Sequence, residues 1–179
     1  MRALVASVAI AALCVAIGNQ SVAARSASLF VASTTFRDGA LVPERMVLNA
    51  MSCHGQNVSP ELHWGAGPKG TKTYALTAWD PDAPASGGWW HWVLYDIPAS
   101  THRIAEGGAA GSSGTTSSNS NGYGGPCPPP GAVHHYRFTV YALNVPHVGG
   151  TAQTTGPQLL AKMKGHILAQ GVVVGLYKR

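Results

Sequence analysis

The sequence predicts a mainly β protein built as one domain, and three observations carry that prediction. Short strand-like apolar runs alternate with clusters of Gly, Pro and Asn, the pattern of a sheet-rich chain. Gly (22 residues) and Pro (12) are plentiful while charged residues make up only 11%, which suits a loop-rich β domain better than a helical bundle. Beyond residue 24 the chain runs for about 155 residues, one ordinary domain with enough length to bury a core.

Residues 1–24 read separately. Met1-Arg2 carries a positive charge, residues 3–17 form an uncharged apolar run, and Val22-Ala23-Ala24 suits a signal-peptidase site. That order is the n-region, h-region and cleavage site of a secretory signal. The run falls short of the roughly 20 apolar residues of a membrane span, and the bulky Leu13 before Cys14 fits lipoprotein processing poorly. The expectation is a signal peptide over 1–24 and a single domain over 25–179. The product would be secreted or periplasmic, with no stable membrane anchor.

The formal charge of +5, from twelve Lys and Arg against seven Asp and Glu, becomes +4 without Arg2. These cations are scattered and form no basic stripe, so no nucleic-acid partner is expected. With Cys14 in the leader, Cys53 and Cys127 remain. Two thiols in an oxidising compartment are a candidate disulfide, the alternative being two buried, unpaired cysteines.

Strands are expected over residues 29–34, 45–48, 74–79, 90–97, 136–143 and 172–177. One helix is expected near the end: Pro157 suits its first turn, and Leu159, Leu160, Met163, Ile167 and Leu168 recur at helical spacing, with Gly171 to close it. Residues 107–125 are nearly all Gly, Ala, Ser, Thr and Asn, and a Pro-rich stretch around Cys127 follows. So long a loop without structure of its own is commonly functional. A linker to a second domain is the alternative, but too little chain follows for another core.

Three clusters could carry chemistry: Trp79-Asp80-Pro81-Asp82-Ala83-Pro84, Trp89-Trp90-His91-Trp92, and Gly125-Pro126-Cys127 leading to His134-His135-Tyr136. In an antiparallel sheet the end of one strand and the start of its hairpin partner share an edge, so Asp80 and His91 would face each other. His134 and Tyr136, two apart on a strand, share a face. Imidazole and phenol groups donate hydrogen bonds, and glycines let backbone amides approach closely, a set that suits a phosphate-like anion. Asp80 would hold a histidine in its donating tautomer or meet an ammonium. The plainer readings are Asp80 and Asp82 as turn formers and His91 as a structural histidine. No G-x-S-x-G elbow, H-E-x-x-H, C-x-x-C or phosphate-loop motif occurs. A zinc site assembled from Cys53, His91, Cys127 and His134 has no support in their spacing, so neither metal nor cofactor is expected.

Taken together and in order, these clusters resemble the phosphatidylethanolamine-binding protein family, including its bacterial Raf kinase inhibitor-like branch. The resemblance extends to the opening from Phe30 to Gly39, to the block from Cys53 to Trp64, to Trp90 through Pro98 and to Met163 through Ala169. It implies a central antiparallel sheet, a smaller second sheet and a few peripheral helices. It also implies an anion pocket formed by Asp80, Pro84, His91, Gly125, His134 and Tyr136. The expected function is non-catalytic binding of a phosphate-like anion or phosphorylated head group. One alternative is an inhibitor or interaction protein reading a phosphorylated or acidic group on a protein partner. A phosphate-ester hydrolase using Asp80 and His91 is the other.

Overall fold

Four long strands rich in β-branched and aromatic residues make the frame: β5 (Thr73–Asp80), β6 (Trp89–Pro98), β9 (His134–Leu143) and β10 (Ile167–Tyr177). The computed structural model describes residues 27–179, so the expected signal peptide lies outside the described residues. Short strands complete the fold: β1 (Ala27–Ser28), β2 (Val31–Ala32), β3 (Ala40–Leu41), β4 (Leu62–Trp64), β7 (Arg103–Ile104) and β8 (Ser112–Ser113). The large sheet has the order β1-β10-β9-β5-β6-β8, with β3 also paired to β10. Its long strands are antiparallel, while β1 and β3 join β10 in parallel, so the sheet is mixed at that edge. A second sheet of three strands, β2-β4-β7, covers one face.

Both faces of the central strands bury side chains, which is why β5 reads as a nearly continuous apolar run. One face joins the main core with Tyr74, Leu76, Trp92, Tyr136 and Phe138. On the other face Leu159 and Met163 of helix α1 (Gly156–Met163) pack against Ala75, Val93, Tyr95 and Leu143. The small sheet is tied together by Glu61, 2% exposed. Its carboxylate accepts from the Thr34 N–H (2.7 Å), Thr34 Oγ1 (2.9 Å) and Arg103 Nε (2.9 Å), with His63 Nδ1 at 3.0 Å.

The four long strands and the helix fall where the sequence predicts them, with three differences. Residues 45–48 form no strand: Glu44–Met46 is a 3-10 turn. The backbone groups around it bond to Asn57, Val58 and Pro126 instead of a strand partner, and apolar alternation alone cannot reveal such a loop-to-loop wall. The helix stops at Met163, because Gly165 adopts a left-handed φ of 82° that ends it. Gly171 is therefore no cap; it lies within β10, where a Cβ would collide with the Leu29 carbonyl. Finally, residues 107–131 are not a structureless loop. Ser112–Ser113 pairs with β6, and Asn121 Nδ2 donates to the carbonyls of Gly114 and Ala152, each at 2.8 Å.

Candidate functional site

The edge where β5 ends, β6 begins and β9 begins holds the histidines. Because β9 pairs with β5, His134 is delivered beside Asp80. Its Nδ1 donates to Asp80 Oδ2 at 2.7 Å, and both side chains are buried. The second Asp80 oxygen accepts the Asp82 N–H at 2.9 Å, closing the turn after β5. Asp80 is thus both a turn former, as its prolines imply, and the orienting partner of His134. His91 is instead held by the Gly124 carbonyl, which accepts from its Nδ1 at 2.7 Å. In both histidines Nδ1 is occupied and Nε2 remains for a ligand.

Tyr136 lies between them, its ring 5.1 Å from that of His91 and 6.5 Å from that of His134. The Tyr136 hydroxyl is buried and has no hydrogen-bond partner among the described residues. Three other buried polar atoms, on Trp64, Trp92 and His102, share that condition, but those residues do not line the cavity. Burial, then the charge of Asp80, pushes the Tyr136 phenol above its ordinary range. Burial also pulls His91 below the ordinary 6.5, against the opposing influence of the Gly124 carbonyl and Asp80. His91 is accordingly neutral near pH 7.

These groups open into a cavity of about 350 Å³, lined by all six residues expected for the pocket: Asp80, Pro84, His91, Gly125, His134 and Tyr136. Gly125 is glycine for a steric reason, since a Cβ there would collide with the Met46 carbonyl. Its N–H is taken by Asn57 Oδ1 at 2.7 Å, so Gly125 shapes the wall while its amide is already committed. Cys53 and Cys127 are joined as a disulfide, with Cα atoms 6.0 Å apart, and Cys127 lines the cavity. The bond consumes both thiols that a zinc site would need.

Sequence reasoning missed Asn57, Met51 and Arg179. Arg179 lines the cavity and donates from Nη1 to the Met51 carbonyl at 3.0 Å, bringing a permanent cation to the rim. Asn57 adopts a left-handed φ of 54°, a conformation asparagine tolerates better than most residues. Asp82 does not enter the cavity. It accepts from the His135 N–H (2.8 Å) and Nδ1 (2.7 Å), clamping the turn after β5 to β9.

The family model described as phosphatidylethanolamine-binding protein matches residues 32–178. The chain belongs to the phosphatidylethanolamine-binding protein family. Among relatives, the UPF0098 protein YbhB of Escherichia coli is 35% identical over 81% of this chain and 97% of its own length. A UPF0098 protein of Aquifex aeolicus is 39% identical over 87% of this chain and 92% of its own. The crystal structure of Escherichia coli YbcL, a member of the mammalian PEBP family, superposes with a TM-score of 0.81 at 30% identity. That match covers 86% of this chain and 99% of YbcL. Membership accounts for the large and small sheets. No helix among the described residues is long and apolar enough to cross a membrane.

Proposed function

We propose that this phosphatidylethanolamine-binding family chain binds a phosphate-like anion, free or as a phosphorylated head group, in the cavity between His91 and His134 without turning it over. The observation that carries the reading is the shared orientation of the two imidazoles. Each spends Nδ1 on a fixed acceptor and leaves Nε2 for the cavity, with the Tyr136 hydroxyl unpartnered beside them. The Tyr136 O–H is a donor already in place, and a His91 Nε2 protonated together with the anion becomes another, so neither must first give up a partner. Arg179 adds a guanidinium at the rim, a group suited to oxyanions. A hydrolytic role is weaker, because each Asp80 oxygen already holds a structural partner, His134 or the Asp82 N–H, which fits an orienting role better than that of a base for water. The leader-like residues 1–24 and the disulfide support a site of action outside the cytoplasm.

Titration with inorganic phosphate and with phosphoethanolamine, followed through the histidine resonances, tests the reading. Saturable shifts of His91 and His134, lost in His91→Ala, are expected. Unchanged spectra at millimolar ligand, with His91→Ala indistinguishable from the parent, would remove it. Turnover of a phosphate ester that disappears in Asp80→Ala would replace it with the hydrolase.

One observation favours a protein-reading role as the second possibility. Thr116 and Ser118, from the strap over residues 107–131, line the same cavity, so a partner gripping the strap would also meet the anion site. Deleting residues 112–120 should then weaken a partner while sparing free phosphate.

A further inference from the structure

A second and larger cavity lies on the opposite face of the large sheet; no histidine lines it, and Trp90 at the sheet edge lines both cavities. Alternation along the strands turns Tyr136 and Phe138 toward the core and Arg137, Thr139 and Tyr141 outward. Helix α1 covers only one end of that outward face, and the uncovered end forms a groove of about 630 Å³. Clefts that hold small ligands span about 300–1,000 Å³.

Its chemistry is ordered in rows. Arg137 pairs across the sheet with Trp79, and Trp79 with Trp90, so one guanidinium stands in line with two indoles. The indoles are stacked, with centroids 5.8 Å apart and planes at 27°. Both are locked. Trp79 Nε1 donates to the Gly87 carbonyl at 3.0 Å, and Trp90 packs so tightly on Gly156 that a Cβ there would enter its ring. Beside this wall Thr77, Thr139, Tyr141 and Gln170 line the groove, and Leu29, Phe30, Val31, Leu160 and Val172 add an apolar side. Arg137 is the groove's one cation, forms no ion pair among the described residues, and no carboxylate lines the groove with it.

We propose that this groove is a binding site for an acidic saccharide, such as a hexuronate-containing oligosaccharide. The apolar C–H face of a pyranose ring suits the face of a fixed indole, whose negative π cloud attracts polarised hydrogens. Sugar hydroxyls pair with Thr139 and Gln170, the accessible polar side chains of the groove, which offer both donors and acceptors. A uronate carboxylate meets the guanidinium in the bidentate geometry arginine favours. Two other occupants fit worse. A hydrocarbon tail would meet the apolar side but cover Arg137, Thr139 and Gln170 without giving them partners, which is costly. An extended peptide would need a free strand edge, and β5, β9 and β10 are each paired on both sides.

The test is a titration of the purified protein with tri-galacturonate, read by tryptophan fluorescence and indole N–H resonances. Maltotriose serves as the neutral sugar and decanoate as the apolar acid. Saturable binding of tri-galacturonate, weakened about tenfold in Arg137→Gln and partly kept in Arg137→Lys, is expected for a bidentate carboxylate contact. Binding should persist when inorganic phosphate is in excess and in His91→Ala, which separates this groove from the histidine cavity. The proposal is overturned by no saturable response at about 10 mM, a concentration that detects even weak affinity. It is equally overturned by binding indifferent to Arg137→Gln, or by decanoate binding more tightly than the saccharide. Arg137 is solvent-facing, so its variants test recognition without threatening the fold.

Discussion

His91 sits in the candidate anion cavity as a neutral imidazole whose only proton points the wrong way. The Gly124 carbonyl holds that proton on Nδ1, so in the neutral ring Nε2 presents a lone pair to the cavity, which repels an anion. Binding must therefore bring a second proton onto His91, and burial makes that proton hard to acquire in the empty protein. The groups facing it are Asp80, hydrogen-bonded to His134, and Arg179 at the rim. The folded pKa lies below the ordinary 6.5, so affinity should rise as pH falls toward it and be lost as pH climbs above it. Sulfate is the clean probe because it does not titrate in this range. Its affinity should grow by up to about tenfold per pH unit lowered, until His91 is protonated in the free protein. His91→Ala should abolish the slope; an unaltered slope in that variant would assign the proton elsewhere. The same linkage acts on folding: the unfolded chain takes up the His91 proton more readily, so stability is lost as pH falls below about 6.5.

At the scale of elements, the small sheet hangs on one buried carboxylate. Glu61 gathers a backbone N–H, a hydroxyl, a guanidinium and an imidazole from the segments around β2, β4 and β7. Burial alone would raise its pKa, but the hydrogen bonds from Thr34, Arg103 and His63 outweigh burial and lower it below the ordinary 4.5. A depressed carboxylate contributes stability that is fully present above about 4.5 and lost as pH falls through its folded value. Glu61→Gln should cost about 1–3 kcal/mol at neutral pH, since charged hydrogen bonds become neutral ones. It should also flatten the acid limb of the unfolding profile, so an acid limb as steep as the parent's would place the acid sensitivity in another carboxylate. The long strands were legible because both of their faces carry apolar residues. Asp80, His91, His134 and Tyr136 were legible because sheet geometry alone brings the ends of adjacent strands together. Glu61, Asn57 and Arg179 were not, because each acts through contacts between segments far apart in sequence, and no local period records such a meeting. The 3-10 turn at Glu44–Met46 failed for the same reason: its backbone partners lie in other loops.

The whole molecule carries two cavities on opposite faces of one sheet, and the disulfide belongs to one of them. Cys53–Cys127 closes a ring with a sequence separation of 74 that contains β4 through β8. Closing so long a loop restricts the unfolded chain, and removal of such a native bond typically costs about 2–4 kcal/mol. In the folded state it also fastens two loops to each other. One carries Met51 and Asn57, the other Gly124, Gly125 and Pro128, and together they wall the histidine cavity and hold His91 through Gly124. The groove around Arg137 depends on it less, because Trp79, Thr139 and Gln170 are fixed by the central sheet ladder and only Trp90 is shared with the histidine cavity. A Cys53→Ala, Cys127→Ala double variant should therefore lower the unfolding midpoint and weaken sulfate binding several-fold. At a temperature where it remains folded, its groove resonances should stay where they are in the parent. Equal loss at both cavities would mean that the bond rigidifies the whole sheet, and undiminished sulfate binding would mean that sheet geometry alone sets the histidines.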